Sequence, residues 1–365
     1  MKIDSYMPVK IISGEFCVIN NADIFSRYGK RCFVVTGKNS AKASGALDDV
    51  LSVFEDKEIL FELFDEIEPN PETLTCKRAG ESARNFGADY ILGIGGGSVL
   101  DAAKAVAIFC SSPELSYSDI YKRKVPSSHI PVLLIGTTAG TGSEVTGVSV
   151  LTNSDSGLKK SISGADCYAD VAFCDYRYTE SVNNLTCRST CLDALAHAVE
   201  SYLSNTSNEL SEMYALRALG IILPFVIDKG FSDLSREDYE NLYIASIFAG
   251  LAINITGTCF PHTVGYYLTE SYNVPHGIAC AVFMPVLLER ANKYCPEKIE
   301  AIFKNYSVEQ LINALNTYTD IDIKISQEEA KCVSSRWESG VKNFDRTPGG
   351  FTYLHAEKAL IEIFS

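Results

Sequence analysis

The stretch Asp89-Tyr-Ile-Leu-Gly-Ile-Gly-Gly-Gly-Ser-Val-Leu-Asp-Ala-Ala-Lys104 indicates the architecture of the chain most directly. Its first six residues form an apolar run typical of a buried strand, and the glycines end that run before a helical pattern starts. Glycines let a backbone approach an anion, and a helix start offers free N–H groups and the positive end of the dipole. The stretch therefore predicts a strand–turn–helix unit with a phosphate-binding turn, in which Ser98 caps the helix and Asp101 completes a capping box.

Apolar runs of the same kind occur at residues 31–36, 130–135 and 169–174, with helix-like stretches between them. Apolar strands that alternate with helices are typical of a parallel sheet covered on both faces. After residue 182 the strand pattern fades, and helices are predicted at residues 192–203, 208–227, 236–253, 278–294, 308–315 and 327–341. The predicted fold class is an N-terminal α/β domain with a doubly wound parallel sheet, residues 1–181, followed by an all-α C-terminal domain, residues 182–365.

The composition fits a two-domain chain of 365 residues, because 46% apolar residues supply a large core. A formal net charge of −14 without a basic run disfavours binding to nucleic acid or to an anionic membrane. The first fifteen residues hold no apolar stretch of signal-peptide length, and the apolar run at residues 278–288 is too short to span a bilayer. We therefore expect a cytoplasmic protein.

The twelve cysteines are scattered and contain no Cys-x-x-Cys pair. A chain of this size does not need disulfide staples, and a cysteine-based metal cluster would need closer spacing. We expect most of these cysteines to be reduced, buried and packed as small apolar side chains.

A second glycine-rich loop, Thr137-Thr-Ala-Gly-Thr-Gly-Ser-Glu144, follows the third predicted strand. The hydroxyl groups of its threonines and serine suit hydrogen bonds to phosphate or ribose, and two such loops in one parallel sheet would open at the same edge. Either loop alone also fits an ordinary tight turn, but together they predict a dinucleotide site. The candidate contacts are Gly95, Gly96, Gly97, Ser98, Asp101, Thr137, Thr138, Thr141 and Ser143.

The turn after the first predicted strand, Thr36-Gly-Lys-Asn-Ser-Ala-Lys42, contains no carboxylate. Enzymes that choose NAD usually hold the adenosine ribose with an acidic residue at this place. Gly37, Lys38 and Ser40 would instead accept a 2′-phosphate, which predicts NADP(H) rather than NAD(H). A solvated loop lysine is the alternative reading of Lys38.

The helical half contains a candidate metal site. Asp193 and His197 lie four residues apart in a helical stretch and share one face, and His262 and His276 each follow a proline. One carboxylate and three imidazoles suit Fe(II) or Zn(II) better than calcium or magnesium. Each histidine taken alone also fits a packed or capping residue, and spacing alone does not show that the four side chains meet. The other two histidines, His129 and His355, have no further candidate ligand near them in the sequence and are interpreted as structural or surface residues.

Taken together, the motifs at residues 95–104, 137–144 and 193–197 and the pair His262-x13-His276-Gly277 resemble the iron-containing (group III) alcohol dehydrogenase family, most closely its 1,3-propanediol dehydrogenase branch. The resemblance implies a dehydroquinate-synthase-like fold and a divalent metal, Fe(II) or Zn(II), on Asp193, His197, His262 and His276. It also implies cofactor contacts by Asn70 and Lys159. Many members carry a second histidine four residues after the third ligand, where this chain has Tyr266.

The predicted function is that of a metal-dependent alcohol dehydrogenase or aldehyde reductase. It would transfer a hydride between NADP(H) and a short-chain alcohol or aldehyde, for example 1,3-propanediol or butanol, and would act as a homodimer. The alternatives are a glycerol or polyol dehydrogenase or a dehydroquinate-synthase-like lyase of the same fold, and a nucleotide-binding relative without catalysis. The predicted catalytic residues are Asp193, His197, His262, His276 and Tyr266.

Overall fold

A computed structural model describes residues 3–365, which form two compact units. The α/β unit comprises Tyr6–Asn183 and Ser235–Tyr243, and the helical unit comprises residues 3–5, Asn184–Leu234 and Ile244–Ser365. The main division lies two residues beyond the boundary predicted from the sequence. Ser235–Tyr243 departs from the prediction because it packs with the α/β unit, where the buried Tyr243 hydroxyl donates a hydrogen bond to the Gly136 carbonyl.

The α/β unit contains a six-stranded parallel sheet and a separate antiparallel pair. Its strands are β1 (Lys10–Ser13), β2 (Arg31–Thr36), β3 (Leu60–Phe64), β4 (Tyr90–Gly95), β5 (Val132–Gly136), β6 (Val148–Thr152), β7 (Lys159–Ser163) and β8 (Val171–Cys174). The sheet order is β1-β8-β5-β4-β2-β3, and β6 pairs with β7. The four predicted strands are β2, β4, β5 and β8, so the predicted fold class is confirmed.

The helices of this unit flank the strands along the chain. They are α1 (Cys17–Asn20), α2 (Asp23–Tyr28), α3 (Ser40–Ala43), α4 (Ala46–Asp56), α5 (Thr73–Phe86) and α6 (Gly97–Ser111). Almost every residue of β4, β5 and α6 is buried, because these elements lie at the middle of the sheet and on its face.

The helical unit contains eleven helices among the described residues. They are α7 (Asn184–Leu203), α8 (Glu209–Pro224), α9 (Arg236–Thr256, whose first residues belong to the α/β unit), α10 (Phe260–Tyr272), α11 (His276–Ala281), α12 (Met284–Tyr294), α13 (Pro296–Ile302), α14 (Val308–Tyr318), α15 (Gln327–Ser334), α16 (Lys342–Arg346) and α17 (Tyr353–Phe364). From Cys191 onward every residue of α7 is buried, which makes α7 the central helix of this unit.

The prediction that the second half of the chain is helical is confirmed, but several of the predicted helices begin or end at other residues. Helix α10 was not among the predicted helices; Pro261 stands in its first turn, where a missing N–H costs nothing. The predicted helix 278–294 divides into α11 and α12. The segment Glu209–Lys229 is long and apolar enough to cross a membrane by length and composition, but half of its most apolar window is buried within the protein, as is common for core helices.

Candidate active site

The two glycine-rich turns of the α/β unit lie side by side at one edge of the sheet. Strands β4 and β5 are parallel neighbours in which Gly95 pairs with Gly136, and the Thr137 N–H donates a 2.9 Å hydrogen bond to the Gly95 carbonyl. A Cβ on Gly96 would stand 3.2 Å from the Thr138 side chain. The turns after these two strands therefore open together, as the sequence predicts.

Helix α6 begins at Gly97, with Gly96 as its N-cap and no side chain capping it. The predicted cap by Ser98 and the capping box with Asp101 are therefore wrong. The hydroxyl of Ser98 instead accepts a 3.2 Å hydrogen bond from the Asn70 N–H. The close approach of Thr141 to Gly97, where a Cβ would stand 2.5 Å from the threonine methyl, leaves room only for glycine. Helix α6 has 15 residues, and no side chain caps its N-terminus, so its first backbone N–H groups are available to bind phosphate.

Asp101 and Ser143, two predicted cofactor contacts, are hydrogen-bonded inside the protein. Ser143 Oγ donates to Asp101 Oδ1 at 2.5 Å and accepts from the ammonium of buried Lys104 at 2.9 Å. The second carboxylate oxygen of Asp101 accepts from the Val150 N–H at 2.9 Å. These bonds connect α6, the second glycine loop and β6, so both side chains hold the loop in place.

Two other side chains of the second loop keep a buried polar atom without a hydrogen-bond partner among residues 3–365: Thr137 Oγ1 and Glu144 Oε1. Burial raises the pKa of the Glu144 carboxyl to about 7. The unpartnered hydroxyl of Thr137 fits a ligand-binding turn, since buried polar groups are otherwise almost always paired.

Asn70 and Lys159, assigned to the cofactor by resemblance, contact each other. The Lys159 ammonium donates to Asn70 Oδ1 at 3.0 Å, and Asn70 itself has a left-handed backbone with φ of 59°. Because the Asn70 N–H also bonds to Ser98, the three residues form one chain of contacts next to the start of α6.

The turn after β2 holds the residues predicted to choose NADP(H). Lys38 is exposed and forms a 2.9 Å ion pair with Asp65, which follows β3. The turn itself contains no carboxylate, but the neighbouring strand brings one to it. Ser40 starts α3, and a Cβ on Gly37 would stand 3.1 Å from the Ile67 carbonyl oxygen.

The helical unit brings the four predicted metal ligands together. Asp193 and His197 lie one turn apart on α7, His262 is in the first turn of α10, and His276 is the first residue of α11. The nearest Asp193 oxygen, Oδ1, lies 3.7 Å from His197 Nε2, 3.4 Å from His262 Nε2 and 3.9 Å from His276 Nε2. The rings of His197 and His262 stack at a centroid distance of 4.6 Å.

Two glycines allow this approach. A Cβ on Gly277 would stand 1.8 Å from the Ser189 carbonyl oxygen and 2.7 Å from the Asp193 nitrogen, so α11 lies directly against the backbone of α7. A Cβ on Gly265 would stand 2.8 Å from the Ala279 carbonyl oxygen, so α10 lies equally close to α11. Backbone atoms cannot move aside as a flexible side chain would, and the donor spacing therefore depends on both glycines.

Glu200, which was not predicted, orients His262. Its Oε1 lies 2.6 Å from His262 Nδ1, and its Oε2 accepts a 2.6 Å bond from the Cys259 N–H. A carboxylate at this distance accepts the proton of Nδ1, and Nε2 is then the ring atom that faces Asp193. Glu200 is seven residues after Asp193 and three after His197 on α7, so helical periodicity was a signal that could have identified it.

The donor cluster fits a cation. Asp193 Oδ1 and His262 Nε2 are buried and have no hydrogen-bond partner in the described part of the chain. Burial raises the pKa of Asp193, but the charges of His197 and His276 outweigh it and hold that pKa below its ordinary value. A carboxylate oxygen and an imidazole nitrogen that lie 3.4 Å apart without a hydrogen bond are a pair that a divalent ion would satisfy.

Cys280 is a further neighbour that the sequence analysis did not select. The ligand atoms of Asp193, His262, His276 and Cys280 all lie within 4.8 Å of one another. Burial raises the pKa of the Cys280 thiol to about 11. The signal for Cys280 was its position one helical turn after His276.

Tyr266, His355 and His129 complete the residues that the sequence analysis discussed, and only Tyr266 contacts a member of the donor cluster. Tyr266, one turn after His262 on α10, stacks its ring on His276 at a centroid distance of 5.3 Å. His355 belongs to the capping box of α17, and His129 Nδ1 lies 3.4 Å from the Ser127 carbonyl oxygen. Neither of these two histidines is in the donor cluster.

The fold and the two sites define a class of protein: an oxidoreductase that combines a nucleotide-binding α/β unit with a metal-binding helical unit. The family model described as iron-containing alcohol dehydrogenase matches residues 8–176, and the model for the C-terminal part of the Fe-containing alcohol dehydrogenase family matches residues 188–325. The chain belongs to the iron-containing alcohol dehydrogenase family.

Individual relatives agree with this assignment. The NADPH-dependent butanol dehydrogenase of Clostridium saccharobutylicum is 30% identical over 79% of this chain and 76% of its own length. The 1,3-propanediol dehydrogenase of Citrobacter freundii is 31% identical over 70% of this chain and 67% of its own. A crystal structure of an iron-containing alcohol dehydrogenase from Thermotoga maritima superposes with a TM-score of 0.90 at 36% identity, over 99% of each chain. The protein is thus an oxidoreductase of alcohols and aldehydes that uses iron and a nicotinamide cofactor.

Proposed function

We propose that this enzyme transfers a hydride between NADP(H) and a short-chain alcohol or aldehyde at a divalent ion held by Asp193, His197, His262 and His276. The single observation that carries the proposal is the pair of buried, unpartnered atoms Asp193 Oδ1 and His262 Nε2, 3.4 Å apart. Buried polar atoms are almost always paired, so two of them that face each other without a partner favour a missing ligand. Fe(II) and Zn(II) both accept these donors.

The ion would supply Lewis acidity toward the alcohol or aldehyde oxygen, which lowers the cost of charge on that oxygen during hydride transfer. The residues of the chain prepare this chemistry. Asp193 would contribute the negative charge, Glu200 would accept the Nδ1 proton of His262 and so leave Nε2 to the ion, and the burial of both side chains limits the access of water from that side.

Proton exchange with the substrate is assigned to water or to the ribose hydroxyls. Tyr266 occupies the place where many relatives have a second histidine, and a phenol is a poor proton acceptor at neutral pH. Its ring stacks on His276, which supports a role in orienting that ligand and in binding substrate.

Preference for NADP(H) is proposed from the turn after β2. Lys38 and Ser40 offer an ammonium and a hydroxyl to a 2′-phosphate, and the exposed ion pair between Lys38 and Asp65 is weak enough for a phosphate to replace it. The ratio of kcat/KM for NADPH to that for NADH tests the preference, and a higher value for NADH would refute it.

Assembly and location are also proposals. A homodimer is the commonest assembly of soluble enzymes, and light scattering of the purified chain would test it. A cytoplasmic location is supported by the cysteines, since all twelve are unpaired and ten are buried. Fractionation of cells that express the chain would test the location.

The metal assignment is tested by His262→Ala. This variant is expected to lose both the bound ion, measured by elemental analysis of anaerobically purified protein, and turnover of short aldehydes with NADPH. His129→Ala, which removes an imidazole outside the cluster, should keep both. Full turnover of a metal-free preparation, or an unchanged metal content in His262→Ala, would refute the proposal.

A further inference from the structure

The first turn of α10, which carries His262, is held by a residue from outside that helix. Its N-cap residue, Cys259, makes no side-chain capping bond within the described part of the chain. The backbone N–H of Phe260, the first residue of α10, instead donates a 3.1 Å hydrogen bond to Thr347 Oγ1, 87 residues farther along the chain. A distant hydroxyl therefore satisfies the N–H that a neighbouring side chain satisfies at many other helix starts.

The Thr347 hydroxyl has a defined direction. Thr347 is completely buried, and its Oγ1 donates to the Asn343 carbonyl oxygen at 2.8 Å. Since a hydroxyl has one proton and two lone pairs, this oxygen is left as an acceptor for the Phe260 N–H. Phe260 is also completely buried, so removal of the hydroxyl would leave its N–H without water as a substitute. An unpaired buried N–H is costly, and the start of α10 would shift toward another acceptor.

The segment 345–347 also binds the chain just after α7, the helix of Asp193. The Asn205 N–H donates to the Arg346 carbonyl oxygen at 2.8 Å, and Asn205 lies two residues beyond the end of α7. The side-chain amide of Asn205 donates to the carbonyl oxygens on either side of Arg346, at 2.8 and 2.9 Å. The segment thus connects the two helices that place Asp193 Oδ1 and His262 Nε2 at 3.4 Å from each other.

We propose that Thr347 is a positioning residue for His262. Its hydroxyl fixes the start of α10 against α7, and this sets the place of the imidazole beside Asp193. His262 is two residues after Phe260 in the same turn, so a displacement of the Phe260 N–H moves the imidazole with it. The inference rests on the proposed function only for what the imidazole then holds, a divalent ion.

The experiment measures binding of Co(II) to the full-length protein in competition with a chelator. Thr347→Val replaces the hydroxyl by a methyl group of similar size, and we expect it to bind Co(II) about tenfold more weakly, because the support of one ligand is lost. The rings of Phe260 and Phe351 stack at a centroid distance of 4.0 Å and should keep this variant folded. Thr347→Ser restores the hydroxyl and should bind Co(II) as tightly as the parent protein does.

Thr319→Val is the matched control. Thr319 is a buried threonine of the same unit whose hydroxyl donates to the Leu315 carbonyl oxygen at the end of α14, away from α10. The control should lose stability in the same way and keep the Co(II) affinity of the parent protein. An unchanged affinity in Thr347→Val, or an equal loss of affinity in Thr347→Ser or Thr319→Val, would overturn the inference.

Hydrogen exchange in the metal-free protein separates this inference from the proposed function. The ring proton between His262 Nδ1 and Glu200 Oε1, two atoms 2.6 Å apart, should exchange at least about tenfold faster in Thr347→Val than in the parent protein, as measured by NMR. If the parent protein binds no Co(II), the proposed metal site fails, and this exchange rate still decides the role of Thr347: an unchanged rate overturns it.

The parent protein alone also provides a test, in case Thr347→Val does not fold. The Phe260 amide should be protected from exchange as strongly as the amides inside α10, because its hydrogen bond to Thr347 is buried. Exchange of the Phe260 amide as fast as at an exposed position would overturn the inference.

Discussion

The two candidate sites differ in how their buried polar atoms are satisfied. In the α/β unit, Asp101, Lys104 and Ser143 bond to one another, so the glycine loops are held in place without a ligand. In the helical unit, Asp193 Oδ1 and His262 Nε2 face each other without partners. The first region is held mainly by its own bonds and, in the described part of the chain, leaves only the separate atoms Thr137 Oγ1 and Glu144 Oε1 without partners, whereas the second region sets two unpartnered atoms against each other, as a cation site would.

We expect Gly277→Ala to change stability and metal binding the most, and to act only on the site in the helical unit. The new Cβ would stand 1.8 Å from the Ser189 carbonyl oxygen, so α11 must move away from α7. We expect a loss of about 3 kcal/mol of stability in the helical unit and loss of the bound metal, with NADPH binding retained. Chemical unfolding, elemental analysis and cofactor titration measure these three quantities.

Gly220→Ala is the matched control, because outside the neighbouring backbone of α8 no atom lies within 4 Å of the position of its Cβ. This variant should be as stable as the parent or slightly more stable. If Gly277→Ala bound metal as tightly as the parent does, the close contact between α7 and α11 would not determine the donor spacing.

A smaller effect is expected in the α/β unit, where Glu144 couples stability to pH. Burial raises the pKa of the Glu144 carboxyl from 4.5 to about 7, so the folded state favours the protonated form. Its stabilising contribution is complete below pH 4.5 and is lost as the pH rises through 7, by roughly 2–3 kcal/mol. Glu144→Gln should remove this loss and make the protein more stable than the parent at pH 8.

Unfolding measured between pH 5 and 8 tests this prediction. The exposed Glu300→Gln serves as the control for removing one carboxylate. Parallel stability curves for the parent and Glu144→Gln would show that burial of Glu144 does not contribute to the pH dependence.

Glu200→Gln tests how strongly metal binding in the helical unit depends on the carboxylate that contacts His262. A glutamine keeps the shape but loses the charge that fixes the imidazole proton on Nδ1 of His262. Metal affinity, measured by competition with a chelator, is expected to fall by about 10- to 100-fold. Glu209→Gln, which removes an exposed carboxylate of the same unit, should leave the metal affinity unchanged. If Glu200→Gln bound metal as tightly as the parent protein does, Glu200 would not orient His262.

The smallest effect is expected at the edge of the α/β site. Lys38→Ala should lower kcat/KM for NADPH by about tenfold and leave that for NADH nearly unchanged, because one charged contact to a 2′-phosphate is lost. Lys30→Ala is the control, since Lys30 precedes β2 whereas Lys38 follows its carboxyl end. A parallel decrease with both cofactors would contradict the role of Lys38 in cofactor choice.

The α/β unit and the helical unit also differ in how much of each could be predicted from the sequence. The central strands β2, β4, β5 and β8 are continuous apolar runs, and all four were predicted close to their observed bounds. The strands β1 and β3, which form the two edges of the sheet, were missed. Strand β1 has only two apolar residues in four, whereas β3, Leu-Phe-Glu-Leu-Phe, carries an apolar signal in the sequence that the prediction left out.

In the helical unit, residue types led to four candidate ligands, and the structure brings their side chains together through packing. The positions of α7, α10 and α11 rest on contacts between residues far apart in the chain, such as Gly277 against Ser189. Glu200 and Cys280 were missed because their only signal is their helical spacing from Asp193, His197 and His276, and their contacts become visible only in the folded chain. Similarly, Asp101 and Ser143 matched a binding motif, while the structure uses their polar atoms to hold the loop.

The two glycine contacts also define what a protein engineer would have to transplant. Where side chains separate two helices, a new scaffold can repack them, and the distance between grafted ligands drifts with each repacking. Here main-chain atoms set that distance at Gly265 and Gly277. A grafted copy of the metal centre would therefore keep its dimensions only if both glycines were moved along with the acid and the histidines.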